Sequence, residues 1–347
     1  MKALIYHGKN DIRLEETKTP RPGDDQALLK VRAAAICGTD LRIKKSGHRD
    51  IPDGTDRILG HELAGEITEV GDKVRDLKSG MRVAIAPVIG CGKCRVCLSG
   101  DANMCENCRI LGLGIDGAFA EYMIIPREHI ENGNVMIIPP SISFVTGALL
   151  EPLATVFTGA EACNIRPSNK VMIVGAGPIG IMHVLMAKVF GASMVIVSEI
   201  AKERAKQAID HGADQVLDPD KSGFREKLVE ITGGKGPDNI IIAAPSPQAQ
   251  MDSLELVSVN GYINFFGTIP PEKQPVQLNT NLIHYKRINV VGNTGTSVKN
   301  YFRTAELLKS GKLDISGLIS KTFQLEKAEE AFDLAESKEV LKVLFTF

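Results

Sequence analysis

From residue 1 to about 150, short runs alternate between apolar and polar positions, which is typical of strands that bury one face. Turns that contain glycine or proline separate these runs, for example at 20–23 and 78–80. The pattern predicts strands at residues 27–34, 63–70, 82–88 and 121–125. We therefore expect an all-β or barrel-like domain with long loops.

From about residue 152, near-continuous apolar runs alternate with helical stretches. A glycine turn and a helix to about residue 190 follow the first run, and a second helix is predicted at 201–211. The apolar runs lie at residues 171–174, 194–197, 215–217, 239–244, 262–266 and 288–291. Strands of this kind, covered on both faces, are typical of a parallel sheet. Six of them predict a complete doubly wound sheet, and therefore an α/β fold class.

After about residue 293 the pattern becomes mixed again. It predicts helices at about 300–310 and 326–337 and a closing strand at 340–347. This tail is too short to form a domain, so we expect it to pack on the first domain. The predicted domains are residues 1–151 together with 293–347, and residues 152–292.

Composition narrows the functional classes. The net charge of −1 and the sequence pI near 6.7 give no basic surface that would bind nucleic acid or an anionic membrane. The longest apolar region, 171–197, is interrupted by glycines, a proline, His183 and Lys188, which favours a strand–helix–strand unit over a membrane span. The N-terminus shows a short strand rather than a signal peptide. The seven cysteines are clustered and odd in number, which suits metal ligation in a reducing cytoplasm.

Four of the cysteines lie close together in a glycine-rich loop, at positions Cys91, Cys94, Cys97 and Cys105. Four thiolates at this spacing suit a tetrahedral structural zinc. Disulfides and free thiols are the alternatives. Cys108 is one thiol too many for a four-coordinate site, and Cys163 is interpreted as a small buried apolar residue.

The first strand of the predicted parallel sheet ends in a turn of the form G-x-G-x-x-G, made by Gly175, Ala176, Gly177, Pro178, Ile179 and Gly180. Between a strand and a helix, such a turn is typical of a dinucleotide-binding site whose amides meet a pyrophosphate. The second strand is followed by Glu199, where a carboxylate would bind the adenine ribose hydroxyls and repel a 2′-phosphate. We therefore expect NAD, although Arg204 offers a cation for a phosphate.

Gly60-His61-Glu62 stands directly before a predicted strand. A histidine beside a carboxylate is a candidate metal corner. The metalloprotease pattern H-E-x-x-H is excluded, because Gly65 occupies the position of the second histidine.

Together with Cys37-Gly38-Thr39-Asp40 and Glu151-Pro152, these motifs resemble the zinc-dependent medium-chain dehydrogenase/reductase family, which includes alcohol, sorbitol and threonine dehydrogenases. The resemblance covers essentially the full chain. It implies a GroES-like β-barrel as the catalytic domain, a Rossmann domain inserted before the C-terminal tail, and a catalytic zinc in the cleft between them. With the cysteine loop, two zinc ions per subunit are expected.

The resemblance also implies roles for single residues. The candidate ligands of the catalytic zinc are Cys37, His61, Glu62 and Glu151. Thr39 matches the residue that hydrogen-bonds the substrate oxygen, and Asp40 matches the carboxylate that orients the zinc histidine. Two further residues match those that pack behind the nicotinamide ring in the family, Thr155 and Ile179.

Two departures bear on the substrate. Arg42 stands where a histidine often assists proton release, and residues 292–295 lack the arginine with which the polyol branch binds its substrate. The basic residues after Thr39 are interpreted either as a site for a phosphorylated or acidic substrate or as an exposed helix face; they are Arg42, Lys44, Lys45 and His48.

The leading hypothesis is a zinc- and NAD-dependent dehydrogenase that oxidises a secondary alcohol of a polyol, a sugar or a hydroxy-amino acid. The alternatives are a dehydrogenase of a phosphorylated sugar alcohol, a zinc-free quinone or enoyl reductase, and a non-catalytic dinucleotide-binding redox sensor. The expected partner is a small-molecule alcohol, with no nucleic acid and no membrane. By analogy with the family we also expect a homo-oligomer, a dimer or tetramer.

Overall fold

The computed structural model describes residues 1–337 and 339–347. Its strands are β1 (Lys2–Gly8), β2 (Asp11–Glu16), β3 (Ala27–Ala35), β4 (Arg57–Ile58), β5 (Glu62–Val70), β6 (Arg82–Ile85), β7 (Val88–Ile89), β8 (Arg109–Ile110), β9 (Tyr122–Ile125), β10 (Val135–Ile137), β11 (Lys170–Val174), β12 (Met194–Ser198), β13 (Gln215–Leu217), β14 (Asn239–Ile242), β15 (Tyr262–Phe265), β16 (Asn289–Gly292), β17 (Ile319–Phe323) and β18 (Lys342–Thr346).

The helices are α1 (Gly38–Ser46), α2 (Arg95–Leu98), α3 (Arg127–Glu131), α4 (Phe144–Ala148), α5 (Leu150–Ala162), α6 (Pro178–Val189), α7 (Lys202–Asp210), α8 (Phe224–Ile231), α9 (Pro247–Leu256), α10 (Thr280–Lys286), α11 (Val298–Lys309) and α12 (Ala328–Glu336). Short 3₁₀ turns lie at Ala102–Met104, Pro271–Lys273, Ser316–Leu318 and Leu325–Lys327. Across the described residues, no helix combines the length and the apolar character that crossing a membrane requires.

Residues 155–295 form one of two compact units. Its six strands form a parallel sheet in the order β13-β12-β11-β14-β15-β16. The central strand β14 is buried at every position, because its isoleucines face helices on both sides of the sheet. The predicted doubly wound sheet is confirmed, and each predicted strand is present with ends shifted by at most two residues.

Residues 1–154 and 296–347 form the other unit, which is built mainly from antiparallel strands. Strand β3 is at its centre, since it pairs with β5, β9 and β18. The pairing of Leu344 with Ala35 joins the C-terminal strand to β3, so the tail packs on the first domain as predicted. The predicted limits, after residues 151 and 292, each fall three residues before the limits of the compact units.

Helix α5 was not predicted from the pattern. Pro152 fits within it because it occupies the first turn of the helix, where the missing N–H has no intrahelical partner to lose. Helix α5 begins in the first unit and ends in the second.

The chain directly before His61 is held by another backbone segment. Residues 58–60 accept hydrogen bonds from the amides of Gly117, Ala118 and Phe119 at 2.7–3.0 Å. Gly60 has a φ of +92°, and a Cβ there would lie 2.6 Å from the Phe119 ring. A Cβ on Gly117 would lie 2.1 Å from the Gly60 carbonyl oxygen. Two glycines therefore permit the close approach that fixes the turn into β5.

We predict that Gly117→Ala destabilises the chain by about 1–3 kcal/mol, because the added methyl meets backbone that cannot rotate away. The free energy of unfolding in denaturant measures the effect. Gly114→Ala is the matched control three residues away, since its Cβ would meet nothing closer than 3.7 Å. Equal stability of the two variants would contradict this account of the turn.

Candidate functional site

Strand pairing brings the predicted metal corner together. Cys37 follows the end of β3, and His61 directly precedes β5, which begins at Glu62 and pairs antiparallel with β3 through Ala35 and Glu62. The Cys37 sulfur, a ring nitrogen of His61 and a carboxylate oxygen of Glu62 all lie within 4.8 Å of one another. Sulfur, imidazole and carboxylate donors are the set that zinc binds in proteins.

Asp40 supports two members of this corner from helix α1. Its Oδ2 accepts a hydrogen bond from the Cys37 amide at 2.9 Å, and its Oδ1 lies 3.6 Å from His61 Nδ1. The side chain is fully buried, and this burial raises the pKa of Asp40. The carboxylate therefore stands where it can orient the imidazole.

Lys342 is a member of the site that sequence reasoning missed. Its Nζ lies 2.6 Å from Glu62 Oε2 and donates to the Ile36 carbonyl at 2.9 Å, while only 5% of the residue is exposed. The signal in the sequence is a lysine within the otherwise apolar run 341–345, most of which lies in β18. The charge of Glu62 is consequently neutralised by a buried cation. A metal ion would compete with Lys342 for the Glu62 carboxylate.

Glu151 lies in the first turn of α5, outside the group of three donors within 4.8 Å of one another. Its charge nevertheless acts on the corner. Burial is the larger cause that raises the pKa of Tyr301, and the charge of Glu151 raises it further. The same charge contributes to raising the pKa of Lys342. The fourth predicted ligand therefore stands near the other three without joining them in this structure.

The corner as a whole favours a cation. Burial lowers the pKa of His61, but the charges of Cys37, Asp40 and Glu151 raise it well above its usual value. Buried His61 Nδ1 has no hydrogen-bond partner among the residues that the structure describes. Because Nδ1 faces the Asp40 carboxylate, Nε2 is the nitrogen that remains for a metal, and a divalent cation there would satisfy the negative field; the donor set fits zinc.

The basic residues after Thr39 do not form one cluster. Lys44 and Lys45 pair with Glu336 at 3.6 and 3.1 Å, and His48 lies 3.6 Å from Asp50. The charges of the two lysines are compensated by helix α12, which favours the interpretation as an exposed helix face for these two residues. Arg42 contacts the predicted substrate-binding threonine instead, as its Nη2 lies 3.4 Å from Thr39 Oγ1.

The four predicted cysteines of the loop also come together. The sulfurs of Cys91, Cys94, Cys97 and Cys105 lie within 4.8 Å of one another and none is in a disulfide. Hydrogen bonds from the amides of Lys93 and Cys94 lower the pKa of Cys91 to about 6, which favours the thiolate that binds metal. The arrangement fits a closed four-thiolate zinc site. Cys108 lies outside it.

The glycine turn of the second unit has the shape of a phosphate cradle. A Cβ on Gly180 would lie 1.9 Å from the Gly175 carbonyl oxygen, so the third glycine lets the helix approach the turn. A Cβ on Gly177 would meet nothing within 4 Å, which leaves open space before the first turn of α6. These are the two requirements for a pyrophosphate at a helix N-terminus.

Glu199 follows β12, as predicted, but its carboxylate points towards backbone amides. It accepts hydrogen bonds from Ala176 at 2.7 Å and from Ile200 and Ala201 at 2.9 Å each. The carboxylate is thereby fixed beside the glycine turn. Arg204 is half-buried on α7, Thr155 is half-buried on α5, and Pro178 and Ile179 form the start of α6.

Comparisons with known proteins agree with this geometry. The family model described as "Alcohol dehydrogenase GroES-like domain" matches residues 23–134, and the model "Zinc-binding dehydrogenase" matches residues 178–310. The chain is 35% identical to L-threonine 3-dehydrogenase of Pyrococcus furiosus over 96% of this chain and 94% of that protein. It is 32% identical to sorbitol dehydrogenase of Bacillus subtilis over 99% of this chain and 96% of that protein.

Solved structures show the same architecture. A zinc-binding dehydrogenase from Sinorhizobium meliloti bound to NADP has a TM-score of 0.91 at 30% identity, covering 100% of this chain and 99% of that one. An alcohol dehydrogenase from Escherichia coli CFT073 complexed with NADH has a TM-score of 0.91 at 28% identity, with the same coverage. The family models, the full-length relatives and the fold lead to one conclusion: the chain belongs to the zinc-dependent medium-chain dehydrogenase family.

Proposed function

We propose that this chain is a zinc- and NAD-dependent dehydrogenase that transfers a hydride from a secondary alcohol of a polyol, a sugar or a hydroxy-amino acid to the nicotinamide. The observation that carries the proposal is the buried donor group of Cys37, His61 and Glu62. The relatives named as threonine and sorbitol dehydrogenases support the substrate range.

Each residue of the corner has a role in the proposed reaction. Cys37 and His61 would hold the zinc, and Asp40 orients the imidazole of His61. Zinc bound there would supply Lewis acidity, which lowers the pKa of the substrate hydroxyl. Thr39 Oγ1 would take the proton of that hydroxyl as it passes its own proton on. Because position 42 carries arginine, the relayed proton would leave through water or the cofactor ribose rather than through a histidine.

The third protein ligand is Glu62 or Glu151, and we propose that the two exchange. Lys342 holds Glu62 through the 2.6 Å ion pair, so Glu62 reaches the metal only at the cost of that pair. Glu151 lies outside the group of three donors, so it reaches the metal only by moving towards the sulfur and the imidazole. The lysine therefore sets the balance between the two carboxylates.

We favour NAD over NADP. The fixed Glu199 carboxylate supports this, because a negative charge beside the glycine turn repels a 2′-phosphate. One structural relative was solved with NADH and another with NADP, so both cofactors occur among similar folds.

The remaining alternatives explain less of the geometry. A redox sensor without catalysis uses the glycine turn and Glu199 but leaves the buried donors of the corner without a role. A zinc-free reductase gives no reason to bury Cys37, His61 and Glu62 together with a compensating lysine. Metal content and activity separate these cases from a zinc dehydrogenase.

We also propose a cytoplasmic location and a homo-oligomeric assembly. The free state of the seven cysteines supports the reducing compartment. The edge strand β16, which pairs with β15 on one side, offers a surface for joining two sheets.

Metal analysis of the purified chain should find two zinc ions per subunit. Cys37→Ser and Cys105→Ser should each retain one, since each removes a thiolate from a different donor group. Cys108→Ser is the matched control and should retain both, because Cys108 lies outside the four-thiolate group. Elemental analysis after gel filtration measures the content. Two zinc ions in Cys105→Ser would contradict the loop site.

The dehydrogenase activity should depend on the corner. Loss of a group that only orients a metal ligand costs about 10–100-fold, so Cys37→Ser and His61→Ala should lower kcat/KM by more than about 100-fold. Reduction of NAD with a panel of polyols and L-threonine measures the effect. Unchanged activity in both variants would contradict the proposed function.

Lys342→Met should destabilise the metal-free chain by about 3–5 kcal/mol, because it leaves the Glu62 charge buried and unpaired. Adding Glu62→Gln to that variant should restore most of the loss. Lys45→Met is the control, since an exposed pair such as Lys45–Glu336 contributes about 0–1 kcal/mol. Denaturant unfolding measures all four free energies. No difference between Lys342→Met and the unchanged chain would contradict the compensating role of the lysine.

A further inference from the structure

Arg42 is a cation beside Thr39, the residue proposed to bind the substrate oxygen. It lies exposed on α1, and its Nη2 donates to Thr39 Oγ1 at 3.4 Å. Over residues 1–337 and 339–347, the structure gives Arg42 no ion pair with an acidic side chain. Its charge is therefore available to a ligand.

The neighbouring charges are compensated, which sets Arg42 apart. Lys44 and Lys45 share Glu336, at 3.6 and 3.1 Å. Asp50 lies 3.6 Å from both His48 Nδ1 and Arg49 Nε. Thr39 and Arg42 are three residues apart on α1, so the helix places them side by side. The difference from the lysines is that no acidic side chain of the described residues compensates the guanidinium beside Thr39.

The guanidinium group matches anionic oxygens. Its planar set of N–H donors binds a carboxylate or a phosphate through two parallel hydrogen bonds, which a lysine ammonium cannot reproduce. The proposed function places the reacting hydroxyl at Thr39 Oγ1, so Arg42 stands next to the substrate carbons that flank the reacting one.

We propose that Arg42 is a specificity-determining residue, which selects alcohols that carry a carboxylate or phosphate group near the oxidised carbon. The inference rests on the proposed dehydrogenase function and narrows its substrate class to anionic hydroxy compounds. A carboxylate and a phosphate present the same oxygen chemistry to the guanidinium, and the substrates of the test distinguish them.

The test compares three substrates that share a six-carbon chain and differ in the group at its end. They are galactitol, with a hydroxyl, L-galactonate, with a carboxylate, and galactitol 1-phosphate, with a phosphate. The zinc-loaded chain should show a higher kcat/KM for at least one anionic substrate than for galactitol. A hydrogen bond to a charged group is consistent with about 10–100-fold selectivity, and Arg42→Ala should remove it. The loss should fall in KM rather than kcat, because Arg42 binds the anion and does not react.

Two further variants make the result specific. Arg42→Lys keeps the charge without the planar donors, so it should recover only part of the selectivity. Lys45→Ala removes a nearby charge that Glu336 already compensates, so it should leave the selectivity unchanged. Raising the salt concentration should weaken the preference in the unchanged chain and not in Arg42→Ala.

The outcomes separate this inference from the proposed function. Oxidation of galactitol with no preference for either anion, or a preference that survives Arg42→Ala, would overturn the role of Arg42 alone. Failure of the zinc-loaded chain to oxidise any alcohol of the wider panel would overturn the proposed function and this inference with it. A preference for the phosphate alone, lost in Arg42→Ala, would support the inference and assign the anion.

Discussion

A carboxylate that is removed from water needs a cation, and this requirement organises the metal corner. Glu62 is 1% exposed and meets Lys342 at 2.6 Å, while Asp40 is fully buried behind His61. The corner therefore gathers negative groups that one lysine does not fully compensate. A zinc ion at Cys37 and His61, as proposed, would supply the remaining positive charge. The same excess of negative charge is what makes Lys342 necessary beside Glu62.

Strand pairing is what brings these charges together. Cys37 and Glu62 are 25 positions apart, yet β3 and β5 pair so that Ala35 lies opposite Glu62. Lys342 comes from the last strand, β18, which pairs with β3 on its other side. The central strand β3 thus brings together a candidate ligand at its own end, two candidate ligands at the start of β5, and the compensating lysine of the C-terminal strand. The fold of the first unit and its chemistry depend on the same register.

Much of this could be predicted from the sequence. The six strands of the parallel sheet follow from apolar runs, because such strands are buried on both faces and leave a continuous signal. The cysteine loop and the glycine turn follow from local spacing, which the backbone preserves in three dimensions. Lys342 could not be predicted in the same way, because its partner lies 280 positions earlier. Helix α5 was not predicted because it spans the predicted domain limit after residue 151, and its Pro152 lies in the first helical turn, which tolerates proline.

The two cations near the zinc corner have different roles because their surroundings differ. Lys342 is buried, already engaged by Glu62 and the Ile36 carbonyl, and so it cannot recognise a substrate. Arg42 is exposed and lies beside Thr39, where a substrate oxygen arrives in the proposed reaction. An anionic substrate placed there would meet a charge that no acidic side chain of the described residues offsets. In the proposed enzyme, the buried Lys342 thus acts on the metal corner and the exposed Arg42 acts on the choice of substrate.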